Sequence, residues 1–235
     1  MLVIASTISR ELPPHDTKPP KFDKERIQHP MKYKNLIIED AHPPAQASEI
    51  NLLEEMLKKQ LPNDYKSFLR SCNGGYLDYD ILLEVGKTSA EYLSFSTLYP
   101  LSCEDEWESN PFELNQAKQQ ADFPNVGVLP IGGDGGSSVL YLDLRNGGQV
   151  VASVSGLPQW TGLRQESSLV LVANSFNEYL NKLTILDETI KHHIENFLVS
   201  EETVASTLEW FDSIGPQWRG KFGALWNEYV PFKQV

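Results

Sequence analysis

The segment that most restricts the fold lies between residues 139 and 154. There Val139 to Leu144 and Gln149 to Val154 alternate as strands around Arg145-Asn146-Gly147-Gly148. Asn-Gly supplies residues that accept positive φ, so the pattern predicts a β-hairpin turning at Asn146-Gly147. A hairpin makes neighbouring strands antiparallel, which disfavours a parallel βαβ sheet and an all-helical bundle alike. Further short strand candidates surround it, at Leu36-Ile37-Ile38, Ile81-Leu82-Leu83, Tyr92-Leu93-Ser94-Phe95 and Val128-Leu129-Pro130-Ile131. Leu169-Val170-Leu171-Val172 reads either as a strand or as the run into a helix.

Helical periodicity occupies other stretches. Ile50, Leu53 and Leu57 form a stripe with Ser48 as its candidate N-cap, predicting a helix over 48–60. Tyr65, Phe68, Leu69 and Cys72 mark a second helix over 62–73, opened by Pro62 and stopped by Asn73-Gly74-Gly75. Ala173, Phe176, Leu180 and Leu183 line a third over 173–183. Helical patterns continue to the end of the chain, where three of the five tryptophans lie beyond residue 187. A tail that aromatic is expected to pack on the domain or on a second copy, in a homo-oligomer built through the C-terminal helices. The predicted class is α+β, a central, mostly antiparallel sheet with packed helices. An extended, proline-rich arm over residues 1–35 precedes the domain at 36–186, and a helical extension follows over 187–235.

Charge narrows the partners. The 235 residues carry 20 Lys plus Arg against 32 Asp plus Glu, a net charge of −12. Such a surface lacks the cations that displace counterions from nucleic acid or dock on an anionic membrane, so neither partner is expected. No run approaches a membrane span, and Met1-Leu2-Val3-Ile4-Ala5 meets Ser6 without the basic region of a secretory signal. Cys72 and Cys103 are too few for a disulfide framework, which points to a reduced, cytoplasmic setting. Residues 41–110 alone carry a net −7, and a basic protein is the partner their field attracts.

Chemistry-bearing patterns are weak by comparison. Gly132 to Ser138 is glycine-rich, but a strand follows it instead of a helix and no Gly-Lys-Ser/Thr is present, so it reads as a structural corner. His192-His193 are adjacent, and adjacent helical residues cannot chelate one ion; they read as a surface pair. Neither cysteine has a neighbouring base, and Gly-x-Ser-x-Gly is absent. No metal, cofactor or catalytic set is therefore expected. Acidic residues remain: Asp78 and Asp80 flank Tyr79, and Glu104, Asp105, Glu106 and Glu108 surround Trp107. A glycosidase pair drawn from them lacks support, whereas an aromatic amid charges is a common interface anchor. These seven residues are the candidate partner-binding site.

Three motifs in order carry a family resemblance. They are Leu61-Pro62-x-Asp64-Tyr65-x-x-Phe68-Leu69 with Asn73-Gly74-Gly75; Leu129-Pro130-Ile131-Gly132 running to Leu140-Tyr141-Leu142-Asp143-Leu144 and Asn146-Gly147; and Val172-Ala173-x-Ser175-Phe176-x-x-Tyr179-Leu180-x-x-Leu183. Together they resemble the SUKH superfamily, which groups fungal cell-wall-assembly regulators with bacterial toxin-immunity proteins. The resemblance spans residues 36–186 and implies an α+β domain without known catalysis. It implies an immunity protein that binds and neutralises a cognate toxin, expected to be basic, with nucleases among the toxin classes; the alternative is an intracellular regulator or scaffold like the fungal members. It carries no site residues with it. On the residues themselves, Asp143 stands where a strand meets the Asn-Gly turn and its carboxylate is expected to cap backbone donors there.

Overall fold

The computed structural model describes residues 30–86, 89–101, 127–161, 164–196, 198–233 and 235. Its first unit is a small hairpin, β1 (Met31–Tyr33) with β2 (Leu36–Ile38), whose Leu36, Ile37 and Ile38 are all buried. Helix α1 (Ala47–Leu57) follows. Its N-cap is Gln46, not Ser48: Glu49 reaches back so that its Oε2 accepts from the Gln46 amide at 2.6 Å. The helix stops at Lys58, which turns left-handed at φ 51°, three residues before the periodicity alone suggests.

Helix α2 (Asn63–Leu69) begins after Pro62, which serves as N-cap and not as first helical residue. Between the helices, Glu54 is buried. Its Oε1 accepts from the Leu61 amide at 2.8 Å and from Lys66 Nζ at 3.0 Å, so one carboxylate staples the α1–α2 turn. Burial alone would raise its pKa, but those two partners overcome it and hold the carboxyl below the ordinary range. After α2 the chain turns through Asn73 and Gly74 at φ 42° and 87°. A Cβ on Gly74 would stand 2.6 Å from Pro100 N, so glycine is needed both for the turn and for the approach.

The central sheet has six antiparallel strands in the order β10-β9-β8-β7-β6-β3. They are β3 (Gly75–Tyr76), β6 (Thr97–Leu98), β7 (Val128–Gly133), β8 (Val139–Asp143), β9 (Gln149–Val154) and β10 (Ser168–Ala173). A separate hairpin, β4 (Ile81–Val85) with β5 (Ser89–Leu93), lies beside β10. The Leu169 to Val172 run is thus a strand, and Ala173 ends it instead of starting a helix. Helix α3 (Phe176–Lys182) starts only after Ser175, whose Oγ accepts from the Glu178 amide. The predicted β8–β9 hairpin is present, but its connection is longer than a two-residue turn. Leu144–Asn146 form one 3-10 turn, and the left-handed positions fall on Gly147 and Gly148, leaving Asn146 at negative φ.

Asp143 closes that connection by accepting from the Arg145 amide and Nε, each at 2.9 Å, and from Asn146 Nδ2 at 3.1 Å. Hydrogen bonds from Arg145 hold its carboxyl below the usual carboxylate range. The glycine corner also joins strand to strand. Asp134 Oδ1 accepts from the Gly136 and Ser138 amides, and a Cβ on Gly132 would stand 2.6 Å from Thr97 O of β6.

One face of the sheet carries Leu140, Leu142, Val150, Ala152 and Val154, none of them measurably exposed. The aromatic layer of the core comes from α2 and α3: Phe176 meets Tyr65 edge-on at 5.0 Å and Phe68 at 5.1 Å. Asp64 Oδ2 accepts from the Asn177 amide at 2.8 Å, which sets the first turn of α3 against α2. Phe68 also meets Tyr33 of β1 at 5.4 Å, joining the first hairpin to the same layer.

Three further helices complete the chain: α4 (Asp187–Glu195), α5 (Val204–Ser213) and α6 (Gln217–Tyr229). Their centre is Phe211 with Trp218 at 5.1 Å, and Trp226 a further 5.4 Å from Trp218; all three are buried. Phe222, on the same stripe, is half-buried. Each buried indole N–H has an acceptor, Asp212 Oδ1 for Trp218 and Lys233 O for Trp226, as burying a polar atom demands. This cluster is continuous with the core of the sheet domain.

Candidate binding surfaces

The acidic pair Asp78 and Asp80 lies on the segment joining β3 to β4, where the C-terminal helices meet the domain. Tyr79 between them is buried, and its Oη accepts from the Ile37 amide at 2.9 Å and lies 2.8 Å from Ser213 Oγ of α5. Trp210 Nε1 of the same helix donates to the Asp78 carbonyl at 3.1 Å. The Asp80 backbone pairs with Thr184 in both directions, and its carboxylate accepts from the Leu186 amide that begins α4. Asp78 is the more exposed of the two and lines a cleft with Glu39, Thr207, Glu209 and Trp210.

Charge in this cleft is crowded. Partial burial raises the carboxyl pKa of Glu39, Asp78 and Asp80, and neighbouring acids raise Glu39 and Asp80 further. His193 stands against the Trp210 ring at 5.1 Å and Phe211 at 6.1 Å. It is therefore half-buried, where the sequence suggested a surface pair; only His192 is exposed. Burial lowers its pKa, and the Asp78 carboxylate works against that. Asp78 and Asp80 thus contribute both acidity and the attachment of the tail. Glu104, Asp105, Glu106, Trp107 and Glu108 lie outside the described residues.

The second surface has a different character. Register places Tyr141, Val151 and Leu171 in one row across β8, β9 and β10, and Val139, Ser153 and Leu169 in the next. These rows occupy the face opposite the buried Leu140, Ala152 and Val154. Exposure grows toward the sheet edge. The β8 and β9 members are half-buried, whereas Leu171 is 53% and Leu169 77% exposed. Beyond the edge, β4 and β5 add the cross-strand pair Leu82 and Tyr92, each 50% exposed. Leu82, Leu169 and Leu171 line a shared groove between β4 and β10. Trp160, 86% exposed, sits in a short 3-10 turn on the connection from β9 to β10.

Sequence reasoning missed this face, although a signal was present. A strand with one solvated face alternates, yet Leu169 to Val172 are apolar without interruption. Such a run marks a strand covered on both sides, and β10 lies at the end of the sheet with its outer face open. Among the described residues, no cluster of three or more His, Cys, Asp or Glu could hold a metal ion. Likewise no helix among them is long and apolar enough to cross a membrane.

The six-stranded antiparallel sheet, the α1–α2 pair ahead of it and the Ser175-capped helix behind it define a SUKH-type α+β domain. The chain belongs to the SMI1/KNR4 family (SUKH-1), whose model matches residues 44–182. The match begins just before α1 and ends with α3, leaving the β1–β2 hairpin and the three C-terminal helices outside it. No curated relative matches the chain.

Proposed function

We propose that this SUKH protein is a non-catalytic inhibitor, an immunity protein that neutralises a cognate toxin by direct contact in the cytoplasm. The observation that carries the reading is the surplus of acid, net −12, on a domain of a family built for protein contacts. A nuclease toxin needs a cationic site to attract phosphate, and an acidic inhibitor exploits the same field. Electrostatic attraction then sets the encounter rate, while apolar contacts hold the complex.

The test is co-expression with a toxin encoded beside the gene, followed by association kinetics of the purified pair. Protection of the cells is expected. The association rate should fall steeply between 0.01 M and 0.15 M salt, as the Debye length contracts from about 30 Å to about 8 Å. A toxin that kills regardless of this protein would sink the reading and leave the regulator or scaffold role in its place.

A further inference from the structure

We propose that the open apolar face from Tyr92 and Leu82, across the groove, to Leu171 and Leu169 is the docking surface for a basic partner protein. This assigns a place to the binding activity proposed above and rests on it. The four side chains form one surface because Leu82 lies opposite Tyr92 in register and Leu82, Leu169 and Leu171 line the same groove. Apolar side chains gathered at this exposure mark an interaction surface, whereas single exposed ones are ordinary.

The geometry says how the partner is read. A strand inserted between β4 and β10 would need two strand spacings, about 9.6 Å, but Cα atoms of the two strands approach within 8 Å. The end of β10 is also closed, since Lys182 Nζ donates to the Val172 carbonyl at 2.8 Å. Pairing of backbone with backbone inside the groove is therefore blocked, and recognition there falls to apolar side chains of the partner.

The charges around the face choose the partner's sign. Among the described residues, the two cations nearest the face are already matched within the chain, Arg164 by Glu91 at 3.2 Å and Lys182 by Glu178 at 2.8 Å. Glu84, which lines the groove, and Glu166, two residues before β10, are exposed, and no cation among the described residues pairs with either. The described part of the rim is thus negative. A second copy would bring two such rims together on chains of net −12, which like-charge repulsion disfavours. A protein with basic side chains around a protruding apolar one fits the face.

The experiment places a photo-crosslinking amino acid at position 169, at 82, or at Leu52, a comparably exposed position on α1. The full chain is irradiated in the cells that produce it, adducts are identified by mass spectrometry, and the captured protein is purified for binding. Expected is a basic protein captured from 169 and 82 but not from 52. The double variant Leu169→Asp, Leu171→Asp should weaken its binding at least about tenfold, the loss typical of a buried apolar contact at an interface. An adduct with a second copy, an adduct within the same chain, equal capture from 52, or no adduct from 169 and 82 each overturns the proposal.

The two readings fail differently. A captured basic protein that is not a toxin keeps the face and removes the immunity role. A toxin that the double variant, folded by its circular dichroism, neutralises with affinity within about twofold of the parent removes the face and keeps the immunity role.

Discussion

The cleft around Asp78 and the face around Leu169 invert what their sequences suggest. Asp78-Tyr79-Asp80 reads as a solvated acidic loop open to a partner. In the fold it is held from three sides, by Ile37 of β2, by Thr184 and Leu186 ahead of α4, and by Trp210 and Ser213 of α5. Leu169-Val170-Leu171-Val172 is an uninterrupted apolar run, which a strand covered on both faces would carry, yet its alternate residues stand in solvent. Polarity in one dimension tells which groups require partners. It does not tell whether the chain itself provides them.

The largest effect that would break this contrast concerns the helices gripping the acidic segment. Trp226 is buried and its N–H is bonded to the Lys233 carbonyl. Trp226→Ala should lower unfolding free energy by about 3–5 kcal/mol, the usual cost of removing a core aromatic, in a single denaturant transition. Two separate transitions, with only one of them moved, would mean that the C-terminal helices form an independent unit and that the clasp at Asp78 is incidental.

Next comes the clasp itself. Tyr79→Phe removes the hydroxyl that accepts from the Ile37 amide and contacts Ser213, leaving a buried amide without its acceptor. A loss of about 1–3 kcal/mol is expected by chemical denaturation. A variant as stable as the parent would show that the tail is held by aromatic packing alone.

On the open face the expectation reverses. Leu169→Ser with Leu171→Ser should change stability by no more than about 0.5 kcal/mol per site, because both side chains are more than half exposed. Loss of several kcal/mol in the same denaturant experiment would mean that the face is covered within the chain, and the comparison would collapse.

The smallest effect is a pH dependence. Burial lowers the pKa of His193 from its ordinary 6.5, so as pH falls the unfolded chain takes up this proton before the folded one does. His193 thus withdraws stability as pH falls through the region just below 6.5. Glu39, Asp78 and Asp80 act in the opposite sense lower down, since their raised values favour proton uptake by the folded chain just above the ordinary carboxylate range. In His193→Gln the melting temperature should fall less between pH 7.0 and 5.5 than in the parent. An unchanged slope would place the titrating group elsewhere.

Much of the architecture was written locally. The helix that opens after Pro62, though it ends at Leu69 and not at 73, the β8–β9 hairpin and the capping role of Asp143 depend on residues within a few positions of one another, where proline, glycine and carboxylate chemistry act directly. Even there the ends moved by a few residues. Gln46 displaced Ser48 as cap because Glu49 could reach its amide, and Ala173 joined β10 because its partner Val150 stood opposite. The aromatic periodicity of the last fifty residues likewise foretold burial, since a stripe of indoles has to leave water somewhere.

Which surfaces meet was another matter. That the acidic Asp78 segment closes on α5 depends on Trp210 and Ser213, more than 130 residues away in sequence. That Leu169 and Leu171 stay in water depends on the described helices packing against the opposite face of the sheet, where Leu140, Ala152 and Val154 are buried. Side-chain chemistry determined that this chain makes an acidic α+β domain with an aromatic tail. Only the tertiary structure decided which of its polar groups are already satisfied and which of its apolar ones still face solvent, because both depend on neighbours brought together from distant parts of the chain.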